Sequence, residues 1–198
     1  MPHPPLRRRH TLALLAALAL ALAPLAGCDR GTPASGSSPA ASPDTAWQLA
    51  SQQASGFSVG PLIASHSVYV FFDPACPHCA ELWTAAQPLL GRMRMVWIPV
   101  GFLQPGSAAK GATILAAVDP AAEMNRNESS LLSGGPGIEP AASLPAGALD
   151  KVKANTALFQ RIGADSVPFL VYLDPQTRKP AVHAGAMDSD HLAELLGL

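Results

Sequence analysis

Ser67-Val68-Tyr69-Val70-Phe71-Phe72 runs without a break into Asp73-Pro74-Ala75-Cys76-Pro77-His78-Cys79, and the junction between these stretches decides the fold. The first is rich in β-branched and aromatic residues and nearly continuous in apolarity, which predicts a strand covered on both faces. From Pro77 onward Leu82, Trp83, Ala86, Leu89 and Leu90 recur at roughly helical spacing, so a helix follows, and Pro88 kinks or ends it. Two cysteines therefore sit where a buried strand hands over to a helix.

Outward from that junction, Met93 to Val100 reads as a second buried strand. Gly101 to Val167 is a long segment of alanine-rich helical stretches broken by Ser133-Gly134-Gly135-Pro136-Gly137. One helix is expected near Ser107–Val118. A second begins after Asp119-Pro120, where Asp119 can cap and Pro120 fits the first helical position. A third covers about Leu149–Ile162 and stops at Gly163. Phe169-Leu170-Val171-Tyr172-Leu173 is a strand, Asp174-Pro175 turns, and Ala181-Val182-His183-Ala184 is a weaker strand. Asp188–Leu196 closes the chain as a helix with acidic residues in its first turn. Upstream, Trp47 to Ser55 reads as a short helix ended by Gly56. There is no internal repeat. The order is α/β, three layers around a small sheet.

The chain has 198 residues, 48% hydrophobic and 14% charged, with 16 Gly, 20 Pro and 3 Cys. That length suits one domain with accessories, large enough to bury a core, so the cysteines are not the framework of a coreless mini-protein. Net charge is −1 with Lys and Arg scattered, which gives no electrostatic footprint for nucleic acid.

Residues 1–27 combine Arg7, Arg8 and Arg9, an apolar run from Leu12 to Ala23, and small residues before Cys28, the pattern of a secretory signal. The run is about a dozen residues, short for ~30 Å of hydrocarbon. Leu25-Ala26-Gly27-Cys28 resembles the lipobox of bacterial lipoproteins. That resemblance implies that Cys28 is the acylated first residue of the mature chain, held at the membrane by lipid and unable to pair with Cys76 or Cys79. Asp29, directly after it, implies by the enterobacterial rule retention at the inner membrane. Without the three arginines the 13 basic residues become 10 against 14 acidic, a net charge of −4. Residues 28–45 are Gly/Ser/Pro/Ala-rich and read as a flexible tether, with the folded domain over 46–198 and a helical insertion at about 101–165.

Cys76 falls at the expected helix N-cap, with Pro77 at the first helical position, where its missing N–H had no partner. The free N–H groups and positive end of the helix stabilise a thiolate there, and a protonated His78 adds charge beside it. Lowering a thiol pKa from about 8.5 to about 4 stabilises the thiolate by roughly 6 kcal/mol. Such a thiolate is a good leaving group, and its disulfide a strong oxidant. Cys79, one turn inside, is expected to be buried and to act as the resolving thiol. Three other readings remain beside redox chemistry. A structural disulfide closes too small a loop to recover much unfolded-state entropy. Zinc needs four ligands, and His66, His183 and His191 are scattered. Haem attachment needs His where Ala80 stands.

Phe72-Asp73-Pro74-Ala75-Cys76-Pro77-His78-Cys79 resembles the active-site stretch of periplasmic thioredoxin-fold disulfide proteins, particularly the DsbC/DsbG group. The likeness extends through Ile114-Leu115-Ala116-Ala117-Val118-Asp119-Pro120-Ala121 and Leu158-Phe159-Gln160-Arg161-Ile162-Gly163-Ala164-Asp165-Ser166-Val167-Pro168, and covers most of residues 46–198. It implies a thioredoxin fold with a helical insertion and a redox-active Cys76–Cys79 pair. It also implies a cis Pro168 which, with Val167, lies against that pair where substrate backbone docks. The dimerisation domain of that group has no counterpart in the residues before Trp47, so a monomer is expected. Pro77-His78 between the cysteines and Val167 before the proline follow instead the pattern of DsbA, the strongly oxidising member. The expectation is a thiol-disulfide oxidoreductase of the cell envelope, lipid-anchored at the periplasmic face of the inner membrane. It would act on exported proteins with cysteines in the oxidising direction, with a DsbB-like or DsbD-like membrane redox partner, no metal and no cofactor. The alternatives are a DsbG-like reductase or isomerase, or a non-catalytic thioredoxin-fold lipoprotein that binds an envelope partner.

Overall fold

The computed structural model describes residues 40–64 and 67–198. The expected leader, the lipidation site Cys28, the greater part of the tether and His66 lie outside the described residues.

Six helices and a five-stranded mixed sheet make up the described residues. The chain enters through α1 (Pro43–Gln53) and β1 (Phe57–Val59). It passes along β2 (Ser67–Phe72) into α2 (Pro77–Ala86), then turns through a short 3₁₀ segment, Gln87–Leu89, into β3 (Arg94–Pro99). Three helices follow: α3 (Ser107–Ala116), α4 (Pro120–Leu132) and α5 (Ala148–Ile162). β4 (Phe169–Leu173), β5 (Pro180–Ala184) and α6 (Ser189–Leu196) complete the domain. The strand order is β1-β3-β2-β4-β5. Only β2 and β3 run parallel, with Val70 beside Trp97, while β4 lies antiparallel on the other side of β2, with Leu170 beside Val70.

Alternation along β2 sorts its side chains into the two outer layers. Tyr69 meets Trp47 of α1 edge-on at 5.2 Å, and Phe71 meets Phe159 of α5 at 5.9 Å. On the other face Phe72 packs on Trp97 at 5.7 Å, and Trp97 on Trp83 of α2 at 5.1 Å. The expected three layers are therefore present. α5, counted in the sequence among the inserted helices, is itself one of them.

Two boundaries differ from expectation. α1 starts at Pro43 rather than Trp47, so it takes in the last residues assigned to the tether. Ser42 Oγ accepts the Thr45 N–H at 3.2 Å and Pro43 occupies the first turn, so what read as linker composition is a helix cap. β1 was not foreseen. Its three residues pair antiparallel with β3 (Phe57 beside Trp97), too short a run for alternation to register. Elsewhere the punctuation acts as read: Asp119 caps α4, Asp188 caps α6, and Gly163 ends α5 with φ +79°. α3 rides directly on the strand ends because Gly111 has no side chain. A Cβ there would lie 2.9 Å from the Pro99 Cβ and 3.5 Å from the Pro74 Cγ.

Candidate active site

The exit of β2 is held by Asp73, which is fully buried. Its Oδ1 accepts the Ala75 N–H at 2.9 Å, and its Oδ2 accepts the N–H groups of Phe102 and Leu103 at 2.9 and 3.0 Å. Asp73 thereby caps the turn, and it also ties the loop after β2 to the loop after β3. Its carbonyl accepts the Cys76 N–H at 2.9 Å, which delivers Cys76 to the N-cap of α2 in an extended conformation (φ −97°, ψ 112°).

At that cap Cys76 is 5% exposed and Cys79, one turn on, is fully buried; both are free thiols. Pro77 and His78 are exposed beside them. Across the site the Val167–Pro168 peptide bond is cis, and the Cys76 Sγ donates to the Val167 carbonyl at 3.6 Å. Cys76, Cys79, Val167 and Pro168 are thus brought to one place from sequence positions ninety residues apart.

The electrostatics separate the two sulfurs. The Cys76 thiol is lowered to about 6, first by a hydrogen bond from the Cys79 side chain, then by the backbone N–H groups of Cys79 and His78; partial burial works the other way. The charge of His78 is the smallest contributor. This depression is smaller than the expected fall to about 4, and the place of His78 accounts for part of the difference. Its Nδ1 pairs with Glu81 Oε2 at 2.9 Å on the open surface, and that bond raises the imidazole pKa. Cys79 goes the opposite way, well above an ordinary thiol. Burial is the main cause, with the hydrogen bond and charge of Cys76 next, and a backbone hydrogen bond from Asp73 opposing them. One sulfur is poised to be ionised and the other to keep its proton.

Sequence reasoning missed two residues beneath this pair. Glu128 of α4 is fully buried, and burial raises its carboxyl to about 8; a hydrogen bond from Asn127 opposes, while the charges of Cys76 and Asp73 add. Asn127, also fully buried, donates its Nδ2 to the Pro74 carbonyl at 2.9 Å and to Glu128 Oε1 at 3.2 Å. Both stand on the same face as the buried Met124, at i+3 and i+4, and that spacing was the available signal. Phe72, Trp83 and Phe169 are core. Among the described residues no group of three His, Cys, Asp or Glu could hold a metal, and no helix is long and apolar enough to cross a membrane.

No family model matches the chain. It is 33% identical over 153 residues to the thiol:disulfide interchange protein DsbG of Pseudomonas aeruginosa, covering 76% of this chain and 58% of that protein. With DsbG of Escherichia coli it shares 32% identity over 133 residues, 66% of this chain and 52% of the relative. The chain thus spans little more than half the length of these relatives. Among solved structures the catalytic domain of Proteus mirabilis ScsC superposes with a TM-score of 0.63 at 18% identity, over 78% of this chain and 96% of that one. The thiol-disulfide exchange protein α-DsbA2 of Wolbachia pipientis gives 0.57 at 16%, over 78% and 92%. The chain is homologous to the DsbG thiol:disulfide interchange proteins, a DsbG-like protein built on the thioredoxin-like fold.

Proposed function

We propose that the chain is a thiol-disulfide oxidoreductase of the bacterial cell envelope that exchanges disulfides with exported, cysteine-containing proteins through Cys76 and Cys79. The observation that carries this is the Cys76 thiol itself, lowered to about 6 at a helix N-cap, under the carbonyl before a cis proline and beside a buried second thiol. Near neutral pH most of Cys76 is thiolate, both a nucleophile and a leaving group. With the pair oxidised, a substrate thiolate attacks the Cys76 sulfur and Cys79 leaves. A second substrate thiolate then attacks the substrate sulfur of the mixed disulfide and displaces Cys76. In the reverse sense Cys76 opens a substrate disulfide and Cys79 resolves it.

Pro77 and His78 tune the first turn, and Val167 and Pro168 dock substrate backbone beside Cys76. Phe102 and Leu103, 39% and 45% exposed on the loop that Asp73 ties to the one bearing Cys76, offer an unfolded substrate an apolar footing. Stabilisation of the Cys76 thiolate favours the dithiol and makes the disulfide a strong oxidant, which supports the oxidising direction. A quinone-linked, DsbB-like partner restores the disulfide, and lipidated Cys28 with its tether holds a monomeric domain at the periplasmic face of the inner membrane. The homology to DsbG favours a second reading, a reductase or isomerase kept reduced by a DsbD-like donor.

The redox state of Cys76 and Cys79 in cells, trapped by acid quench and read with a mass-tagged alkylating agent, tests the direction. A mostly oxidised pair is the expected result. A mostly reduced pair overturns the oxidising direction in favour of the second reading.

A further inference from the structure

The glycine-rich break at 133–137, which in the sequence separates two helices, takes no part in the exchange chemistry above. In the fold, residues 134–136 line a cleft of about 460 Å³ together with Ala75 and Pro77, the neighbours of Cys76 on either side. That volume lies in the range of small-ligand sites. One buried side chain holds the break and the active-site loop together. Asn127 donates its Nδ2 to the Pro74 carbonyl at 2.9 Å, and its Oδ1 accepts the Ile138 N–H at 3.0 Å. Gly137, with φ +81°, passes so near that oxygen that a Cβ there would lie 2.5 Å from it. The Gly134 and Gly135 N–H groups close back on α4, donating to the Leu131 and Ser130 carbonyls at 2.9 and 2.8 Å. The cleft is therefore built in advance of any ligand.

Its backbone donors are already in use. Asp73 accepts the Ala75 N–H, Ser107 Oγ that of Gln104 and the Gly106 carbonyl that of Lys110, while Pro77 and Pro136 have none. Two side chains are left to meet a ligand, the Gln104 amide and the Lys110 ammonium. Lys110 is half-buried, and its Nζ gives one proton to the Pro136 carbonyl, with two more to donate. It is the one charged side chain that lines the cleft, and among the described residues it forms no ion pair. By contrast, Glu81 and Asp188 line the cleft between α2 and the start of α6. A fixed cation without a counter-charge, beside the reacting sulfur, favours an anion.

We propose that this cleft selects substrates with an acidic residue adjacent to the reacting cysteine, whose carboxylate Lys110 holds while the Gln104 amide donates beside it. The proposal rests on the exchange reading above and adds the substrate preference. Lys110 takes no part in the bond changes; it positions the chain that carries the sulfur. The mixed disulfide through Cys76 is the same species whichever way exchange runs, so the preference is independent of direction.

The test uses reduced protein and three peptides that differ only in the residue beside a single cysteine: Glu, Gln or Lys. Each cysteine is capped as a 2-thiopyridyl disulfide. The Cys76 thiolate attacks the peptide sulfur, the mixed disulfide forms, and 2-thiopyridone leaves, its absorbance giving the rate constant. The net charge of −1 gives the chain as a whole no attraction for the acidic peptide. At low salt the Glu peptide is expected to react about 5-fold faster than the Gln peptide, with the Lys peptide slowest. Lys110→Gln should bring the Glu-to-Gln ratio to about one, and Lys110→Glu should reverse the order. Equal rates for all three peptides with the wild type, or a wild-type ratio kept in both variants, overturn the role of Lys110 and leave the exchange reading intact. Wild-type protein that releases no 2-thiopyridone from any peptide overturns both. Should the variants not fold, the salt dependence of the wild-type ratio decides. A ratio that falls toward one as salt screens the pair is expected, and a ratio indifferent to salt overturns the proposal.

Discussion

Three helices of this protein open in the same way, and α2 and α4 make the sharper comparison. α2 begins Cys76-Pro77 and α4 begins Asp119-Pro120, each with an extended N-cap residue and a proline in the first turn. The difference lies in what the cap side chain does. The Asp119 carboxylate accepts the Ala122 N–H at 3.0 Å, so the helix start is closed by a hydrogen bond. The Cys76 side chain makes no cap bond to the helix. Its sulfur is held instead by Cys79 and the carbonyl of Val167, and the first-turn N–H groups act on it as a field. The same backbone arrangement stabilises the fold at one helix and makes a titratable nucleophile at the other.

Cys76→Ser breaks the comparison most completely. It makes α2 capped like an ordinary helix and abolishes turnover in insulin reduction and peptide oxidation, with the fold retained by circular dichroism. A variant that still turns over would remove Cys76 from the exchange reaction. Next in size is the pH response of the reduced protein. The folded Cys76 pKa, about 6, lies below the unfolded value of about 8.5. Its stabilisation is therefore complete above about 8.5 and is lost as pH falls through about 6, roughly 3 kcal/mol in all. Glu128, raised to about 8, acts with the opposite sign: its contribution is complete below its unfolded value and is lost as pH rises through about 8. Urea unfolding of the dithiol form at pH 5, 7 and 9 should therefore rise with pH in Glu128→Gln and fall with pH in Cys76→Ser. Parallel slopes in the two variants would show that neither group titrates as described.

Smaller still is Asp119→Ala, which removes the cap of α4. It should cost about 1 kcal/mol of stability and leave the alkylation midpoint of Cys76 in place. A shifted midpoint would mean that the two helix starts are coupled. The smallest effect is that of His78→Ala. The imidazole pairs with Glu81 in the open, and its charge is the least of the influences on Cys76, so the alkylation midpoint should rise by well under one unit. A larger rise would make His78, rather than the helix start, the main source of the low thiol pKa.

The parts of the fold that were legible in the sequence are those that local chemistry dictates. β2 and β4 fall on the expected residues because strands covered on both faces are apolar throughout, and the starts of α4 and α6 are marked by Asp119 and Asp188. The cysteines announced themselves by spacing and position. Glu128 did not, because a glutamate and an asparagine in a helix that also carries Glu123 and Arg126 read as a solvated face. Only the packing of α4 on α2 turns that face inward, and the spacing of Asn127 and Glu128 from Met124 is its one local trace. The hold of Asp73 on Phe102 and Leu103, some thirty positions on, is likewise a tertiary fact.

The bare Cα of Gly111 also sets how closely the inserted helices seat on the sheet. With no side chain there, α3 bears on Pro74 and Pro99 like a finger resting on a lever. A single added methyl at position 111 would act as a wedge driven between the helical segment and the end of β3 at Pro99. A chain that varied only the surface of its inserted helices could drift widely in sequence, yet a change at Gly111 would be felt by the strand that pairs with β2.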